Sequence, residues 1–296
     1  MTTIKVAAAQ TDTAYGDVQA NLARHLDHIA DAKKRGVRLL VFPELSLHGH
    51  SGGKDALRLA MTRDDAAIHQ LAEASAGMHV AFGFIEEAPG GQFYNSQATV
   101  ANGKLVHVHR KAMLATYGKL RDGLYFAAGA KPESYAIDDE WRIATPICND
   151  LWNPAVVHDL MCDGVTLLAA PISSAREAVG EGFDNPSGWD INLRFYALTY
   201  GVAIVMANRV GTEGMMTFWG GSRILDPFGK TVAQAEGALR NAGLRPVEEE
   251  EETEVLSQIG RVVDQFPTPG SQLAPNSRVT IVVGVPLEAF EEEETP

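Results

Sequence analysis

Apolar positions recur along the first half of the chain in two rhythms. Val18, Leu22, Leu26 and Ile29 fall at spacings of three and four. That predicts a helix over residues 17–35, with Gly36 as its stop. Residues 4–9 read as a first strand, and 37–42, apolar but for Arg38, as a short strand of the kind buried on both faces. A second helix is predicted over 64–76 and a strand over 79–85. The rhythm then changes to a hairpin, 97–100 and 105–108, around Asn102-Gly103. A strand at 142–148, a helix at 155–162 and a strand at 165–169 follow, then a helix at 186–200 that opens on Pro186. Residues 202–207 read as another buried strand. A second hairpin, 222–225 and 231–235, turns at Asp226-Pro227-Phe228-Gly229, and a last strand lies at 279–283. Strands alternate with helices and hairpins interrupt the alternation, which predicts an α/β fold with mixed, mostly buried sheets. No repeat is visible. One domain is expected over 1–296, with an acidic excursion at 239–276 and an acidic tail at 291–296.

Composition narrows the function. The 296 residues are 45% hydrophobic, enough for a sizeable core, and the formal charge is −13. Ten of the acids lie at 248–252, at Glu254 and at 291–294, and without them about −3 remains. No basic stripe is present to neutralise phosphates, so nucleic acid is not an expected partner. No apolar run is long enough to span a bilayer, and the first residues lack a signal-peptide layout. Cys148 and Cys162 are the only cysteines, too few for a secreted disulfide framework, which makes a reducing cytoplasmic setting the expectation. Cys-x-x-Cys, His-Glu-x-x-His, a full phosphate loop and Gly-x-Ser-x-Gly are all absent. The nine histidines show no metal spacing, and His48 and His50 read as polar loop residues. No metal or cofactor is expected.

Three local features can carry chemistry. Phe42-Pro43-Glu44 places a carboxylate just beyond a buried strand, where α/β folds bind ligands; alone it reads as a surface or capping Glu. His109-Arg110-Lys111 ends a hairpin strand and alone reads as a solvated edge. Ile147-Cys148-Asn149-Asp150-Leu151-Trp152 puts a cysteine between an apolar strand and a helix, where a helix N-terminus lowers a thiol pKa. Together they suit acyl transfer. A thiol nucleophile needs a base that takes its proton and returns it to a leaving amine, and a carboxylate does both. A fixed cation stabilises the tetrahedral oxyanion.

In this order and setting Glu44, Lys111 and Cys148 resemble the nitrilase superfamily of carbon–nitrogen hydrolases. The resemblance is carried by Phe42-Pro43-Glu44-Leu45, His109-Arg110-Lys111 and Ile147-Cys148-Asn149-Asp150-Leu151-Trp152-Asn153-Pro154. It continues in Ala207-Asn208-Arg209-Val210-Gly211, Phe218-Trp219-Gly220-Gly221-Ser222 and Asp226-Pro227-x-Gly229, and covers residues 4–238. It implies a four-layer α-β-β-α sandwich and a homodimer or higher homo-oligomer paired across a helical face. Cys-x-Asp-Leu-Trp-x-Pro, Tyr117-Gly118 and Tyr125-Phe126 look like the glutaminase domain of glutamine-dependent NAD synthetases. By that resemblance Tyr117 and Arg176 contact a glutamine-like substrate, Arg176 meeting a carboxylate. Asp122 stands where a second active-site Glu is usual, Asn149 where that branch has Glu, and Ala170 where it has Ser; residues 47–53 lack its Thr-Gly-Tyr-Pro-Pro. Trp152, Trp189 and Trp219 are candidates for the pocket wall or the core. The matched length ends short of an ATP-dependent half, so NAD synthesis by this chain alone is not expected.

The expected activity is amide hydrolysis of a small molecule, a glutamine-like ω-amide among the candidates. Cys148 attacks, Lys111 and the Asn149 N–H hold the oxyanion, and Asp122 positions substrate or Glu44. Nitrile and N-carbamoyl hydrolysis use the same machinery. A silent scaffold and an ammonia-supplying subunit are the readings of another class.

Overall fold

A computed structural model describes residues 3–180 and 182–234, together with the backbone of three later strands. Contacts divide the chain into two compact units, Met1–Gly237 and Ala238–Pro296.

The first unit is built on two sheets. In the first, β1 (Val6–Ala8), β2 (Leu39–Val41) and β3 (His79–Ala88) run parallel, and β4 (Gln92–Ala101) and β5 (Lys104–Arg110) add antiparallel in the order β1-β2-β3-β4-β5. Its outer face packs on α1 (Val18–Lys34) and on the helix Ala66–Ala74, capped at their N-termini by Asp17 and Asp65. The second sheet contains β6 (Tyr135–Ala136), β7 (Arg142–Ala144), β8 (Leu167–Ile172) and β9 (Ala203–Asn208). After the ribbon β10 (Val210–Glu213) with β11 (Met216–Trp219), the chain returns to that sheet as β12 (Arg223–Leu225) and β13 (Thr231–Gln234). The helices Pro154–Cys162 and Asn185–Tyr200 cover its outer face.

The apolar runs explain the layering. Along β2 the side chains alternate between two cores. Leu39 and Val41 meet the second sheet, whereas Leu40 and Phe42 meet α1 and its neighbour helix. Leu167 and Ala169 face inward in β8, and Leu168 and Ala170 face the outer helices. In β9, Val205 and Ala207 face inward while Ile204 and Met206 face out. A strand with core on both sides must be apolar at every position. The arrangement is the expected four-layer α-β-β-α sandwich.

The structure departs from the predicted elements where side-chain pattern is weak. The strand expected over 142–148 stops at Ala144, and the β10–β11 ribbon has no counterpart in the periodicity. The second unit contains β14 (Arg245–Thr253), β15 (Val262–Phe266) and β16 (Arg278–Pro286), with β16 central, parallel to β14 and antiparallel to β15. Here the sequence predicts an excursion within one domain. The acidic run at 248–252 has no apolar alternation and so reads as solvated, yet its backbone can pair with the apolar β16 whatever its side chains. The tail at 291–296 lies outside the described residues.

Candidate active site

Glu44 follows β2 on a tight turn. Leu45 adopts φ +51°, and a Cβ on Gly83 of β3 would lie 2.2 Å from the Leu45 nitrogen, so only glycine lets β3 pass the turn this closely. The Glu44 side chain is buried and fully engaged. Its Oε1 accepts from Asn95 Nδ2 at 2.8 Å and from Lys111 Nζ at 2.7 Å, and its Oε2 accepts from the Ser173 N–H at 3.0 Å. Lys111, just past β5, also contacts Asp122 Oδ2 at 2.7 Å. Burial alone would depress the Lys111 pKa, but the carboxylates of Asp122 and Glu44 outweigh it and hold the ammonium well above the ordinary lysine value. Asp122 responds in the opposite sense: burial works against its charge, and Lys111 keeps its pKa below the usual range.

Cys148 begins a short 3-10 helix (Cys148–Trp152) with φ +45°, a left-handed conformation that is costly for a residue with a side chain. The turn is held by Asp150, which is fully buried. Its Oδ1 accepts from the N–H groups of Ala112 and Met113, and its Oδ2 from the Ile147 N–H and from His109 Nε2 at 2.7 Å. One carboxylate thereby ties the loop after Lys111 to the loop that presents Cys148. The helix-terminus argument predicts a lowered thiol pKa, and the structure reverses it. Burial first, and then the Glu44 carboxylate, push the Cys148 thiol well above its ordinary value; Lys111 opposes them only in part. At rest this site holds a thiol beside a carboxylate.

Glu44, Lys111, Asp122 and Cys148 line one cavity of about 420 Å³, with Tyr117, Asn149 and Trp152 also on its wall. Tyr117 OH donates to Asn149 Oδ1 at 2.7 Å, and Asn149 Nδ2 donates to the Met113 carbonyl at 3.1 Å. Arg176 is not brought to this cavity; it is exposed, and its backbone N–H pairs with Thr217 across the sheet edge. Trp189 lines the cavity, whereas Trp219 packs in the core of the second sheet.

The sequence did not mark Asn95, Ser173 or His50 as site residues. His50 lines the cavity, hydrogen-bonds Ser173 Oγ through Nδ1 at 3.1 Å, and has its pKa lowered by burial. No periodicity signals Asn95, one of several polar residues in a mostly buried strand; only the pairing of β4 with β3 brings it to Glu44. Among the described residues no group of three His, Cys, Asp or Glu side chains is arranged to hold a metal ion.

A carbon–nitrogen hydrolase family model matches residues 5–240, and so takes in this whole constellation. The chain belongs to the carbon–nitrogen hydrolase family. This hydrolase, acting on carbon–nitrogen bonds, is 31% identical over 237 residues to the glutamine-dependent NAD(+) synthetase of Thermotoga maritima. That alignment covers 78% of this chain and 40% of the synthetase. The hydrolase thus spans about two fifths of the length of the synthetases it matches. A citrullinase of Francisella tularensis is 27% identical over 247 residues, covering 80% of this chain and 86% of that protein. Among solved structures, the NAD+ synthetase of Acinetobacter baumannii superposes with a TM-score of 0.70 at 26% identity, over 78% of this chain and 43% of that one. The fold is shared with a Nesterenkonia AN1 amidase, TM-score 0.70 at 22% identity, over 79% and 87% of the two chains. A PASTA domain model matches residues 228–285.

Proposed function

We propose that the hydrolase is an amidase that works through a Cys148 thioester. The observation that carries this reading is the Lys111 ammonium, held 2.7 Å from both Glu44 and Asp122, in the same cavity as Cys148. Glu44 takes the thiol proton as sulfur attacks the amide carbon, so that no free thiolate need persist beside two carboxylates. Lys111 and the Asn149 N–H, in the first helical turn where N–H groups lack intrahelical partners, hold the oxyanion. Collapse breaks the C–N bond, and Glu44 returns the proton to the departing ammonia. Glu44 then deprotonates a water, which attacks the thioester; the sulfur leaves, recovers the proton, and the acid departs. Asp122 keeps Lys111 charged and fixed. The test is ammonia release from glutamine, citrulline, asparagine, aliphatic amides, N-carbamoyl amino acids and nitriles, with wild type and Cys148→Ala. Activity lost in Cys148→Ala is the expected result, and activity that survives the substitution overturns the mechanism.

The same proposal includes self-association and a reducing compartment. On the helix Asn185–Tyr200, Ile191, Phe195 and Leu198 are exposed at spacings of four and three, and Phe228 and Val232 are exposed nearby in sequence to β13. A stripe of that kind on a covering helix supports pairing with a second copy. Cys148 and Cys162 are both free, which suits a cytoplasmic setting, and no helix among the described residues is long and apolar enough to cross a membrane.

A further inference from the structure

The amidase reading leaves the acyl group open, and the charges around the cavity narrow it. Among the described residues Lys111 is the only Lys or Arg on the wall, and both its carboxylate partners are already bonded to it at 2.7 Å. The Glu44–Lys111–Asp122 group therefore carries a net negative charge with no cation to spare. Burial keeps His50 neutral, and it raises the Tyr117 phenol to about 12, so neither offers a charge. Asn149, beside the nucleophile, has its oxygen occupied by Tyr117 and its amide nitrogen by Met113. Arg176 lies outside the cavity. A substrate carboxylate entering here would be desolvated against like charge, with no free cation among the described lining residues to meet it.

Apart from Ser173, Ser174 and Asn185, the remaining wall is apolar. The Trp152 ring centroid lies 5.1 Å from that of Trp189 and 6.0 Å from that of Phe183, both edge-to-face, and Leu120 and Val179 add aliphatic surface. Cations with no ion-pair partner among the described residues do occur close by, but elsewhere. Lys54, Lys119 and Arg121 line a separate cavity of about 170 Å³, for which His50 and Asp122 form the shared wall.

We infer that this hydrolase selects amides whose acyl group is uncharged and apolar, a short alkyl chain or a single aromatic ring, and rejects free amino-acid amides such as glutamine. The inference rests on the amidase reading of the site, and its test is built to fail separately from that reading. Binding is measured by calorimetry on Cys148→Ala, which keeps the walls and removes the chemistry. Pentanamide is compared with its analogue bearing a carboxylate in place of the terminal methyl, and phenylacetamide with glutamine. The neutral member of each pair is expected to bind at least about tenfold more tightly, since tenfold is about 1.4 kcal/mol and burying one unpaired carboxylate costs more than that. Trp152→Ala, in the same background, is expected to weaken phenylacetamide about tenfold. Equal or tighter binding of the charged members, or no saturable binding of the neutral ones, overturns the inference whether or not Cys148 proves to be the nucleophile. If the neutral amides bind as expected yet wild-type turnover does not depend on Cys148, the catalytic reading alone is lost.

Discussion

Asp122→Asn separates charge from shape at the centre of the site. The carboxamide keeps an oxygen that can accept from Lys111 and from the Ala115 N–H, which the native Oδ2 accepts at 3.1 Å. Because one ammonium lies 2.7 Å from each carboxylate, the two carboxylate oxygens are no more than about 5.4 Å apart. With an effective dielectric of about 20, like charges at that separation repel by roughly 3 kcal/mol. The repulsion is relieved when the thiol proton leaves sulfur for the Glu44 side of the pair in the transition state, and the substitution removes that gain. If half of the change is expressed in the transition state for proton transfer, kcat falls by about 10- to 20-fold. KM should move little, because the walls that meet the acyl group are untouched. The thiol should respond oppositely. The Asp122 carboxylate is one of the groups that raise the Cys148 pKa, so alkylation of Cys148 at pH 8 is expected to quicken, by up to about tenfold. The assay pairs steady-state ammonia release with carboxamidomethylation rates in a Cys162→Ser background, and circular dichroism confirms that the fold is kept. Unchanged kcat, or slower alkylation in a folded variant, would refute the idea that the Asp122 charge sets the proton balance of Glu44 and Cys148.

Two further outcomes follow from other parts of the molecule. His25 is buried between α1 and the first sheet, stacked on Phe42 at 4.0 Å and bonded to the Asn21 carbonyl and Ser46 Oγ; burial lowers its pKa from 6.5 to about 3. The unfolded chain therefore binds a proton that the folded chain refuses, so the stabilisation is complete above pH 6.5 and is lost as pH falls toward 3. Roughly 3 kcal/mol should disappear between pH 7 and pH 4, read as a falling urea midpoint. His25→Gln should flatten that slope, and an unchanged slope would sink the assignment. At the exposed stripe, the double substitution Ile191→Asp with Phe195→Asp should convert a dimer to a monomer in sedimentation velocity while leaving the melting temperature of the separated subunit measurable; a monomeric wild type would dispose of the pairing proposal.

Much of the framework was legible because a sheet with core on both faces leaves a plain record. Runs such as 39–42 and 202–207 have no polar position at which to fail, and they became β2 and β9 with their side chains divided between two cores. The helix at 17–35 was equally plain, since only one stripe of it is buried. Glu44, Lys111 and Cys148 were found by local setting, each beyond or at the end of an apolar strand. The arrangement that activates them was not legible. Asn95 and Ser173 reach Glu44 from β4 and from the end of β8, and only sheet register decides which residues stand opposite. The sign of the Cys148 pKa shift was missed for the same reason. Local sequence displays the helix terminus but conceals the burial and the carboxylate that arrive from other strands. Arg176 is the reverse case: Ser174 and Ala178 on either side of it line the cavity, whereas Arg176 is exposed and is not among the lining residues.

The position of the site between the two sheets gives it a particular dependence on backbone geometry. Glu44 and Lys111 leave strands of the first sheet, Cys148 follows β7 of the second, and Ser173 follows β8 of the second. No single element sets a catalytic distance. Two buried polar groups do so across the gap instead, and a third braces the second sheet. Asp150 binds the loop after Lys111 to the Cys148 turn. Ser173 binds the second sheet to Glu44. Asn208 at the end of β9 accepts from the Ser174 N–H and donates to the carbonyls of Ser174 and Gly220. Each is satisfied at several atoms, so a shift of either sheet would leave buried donors or acceptors unpaired, at about 1–3 kcal/mol apiece. That cost resists sliding, and it provides the rigidity that the positive φ of Cys148 requires. The strained elbow and the buried polar ties are thus two sides of one design: the ties hold the sulfur where the backbone alone would not leave it.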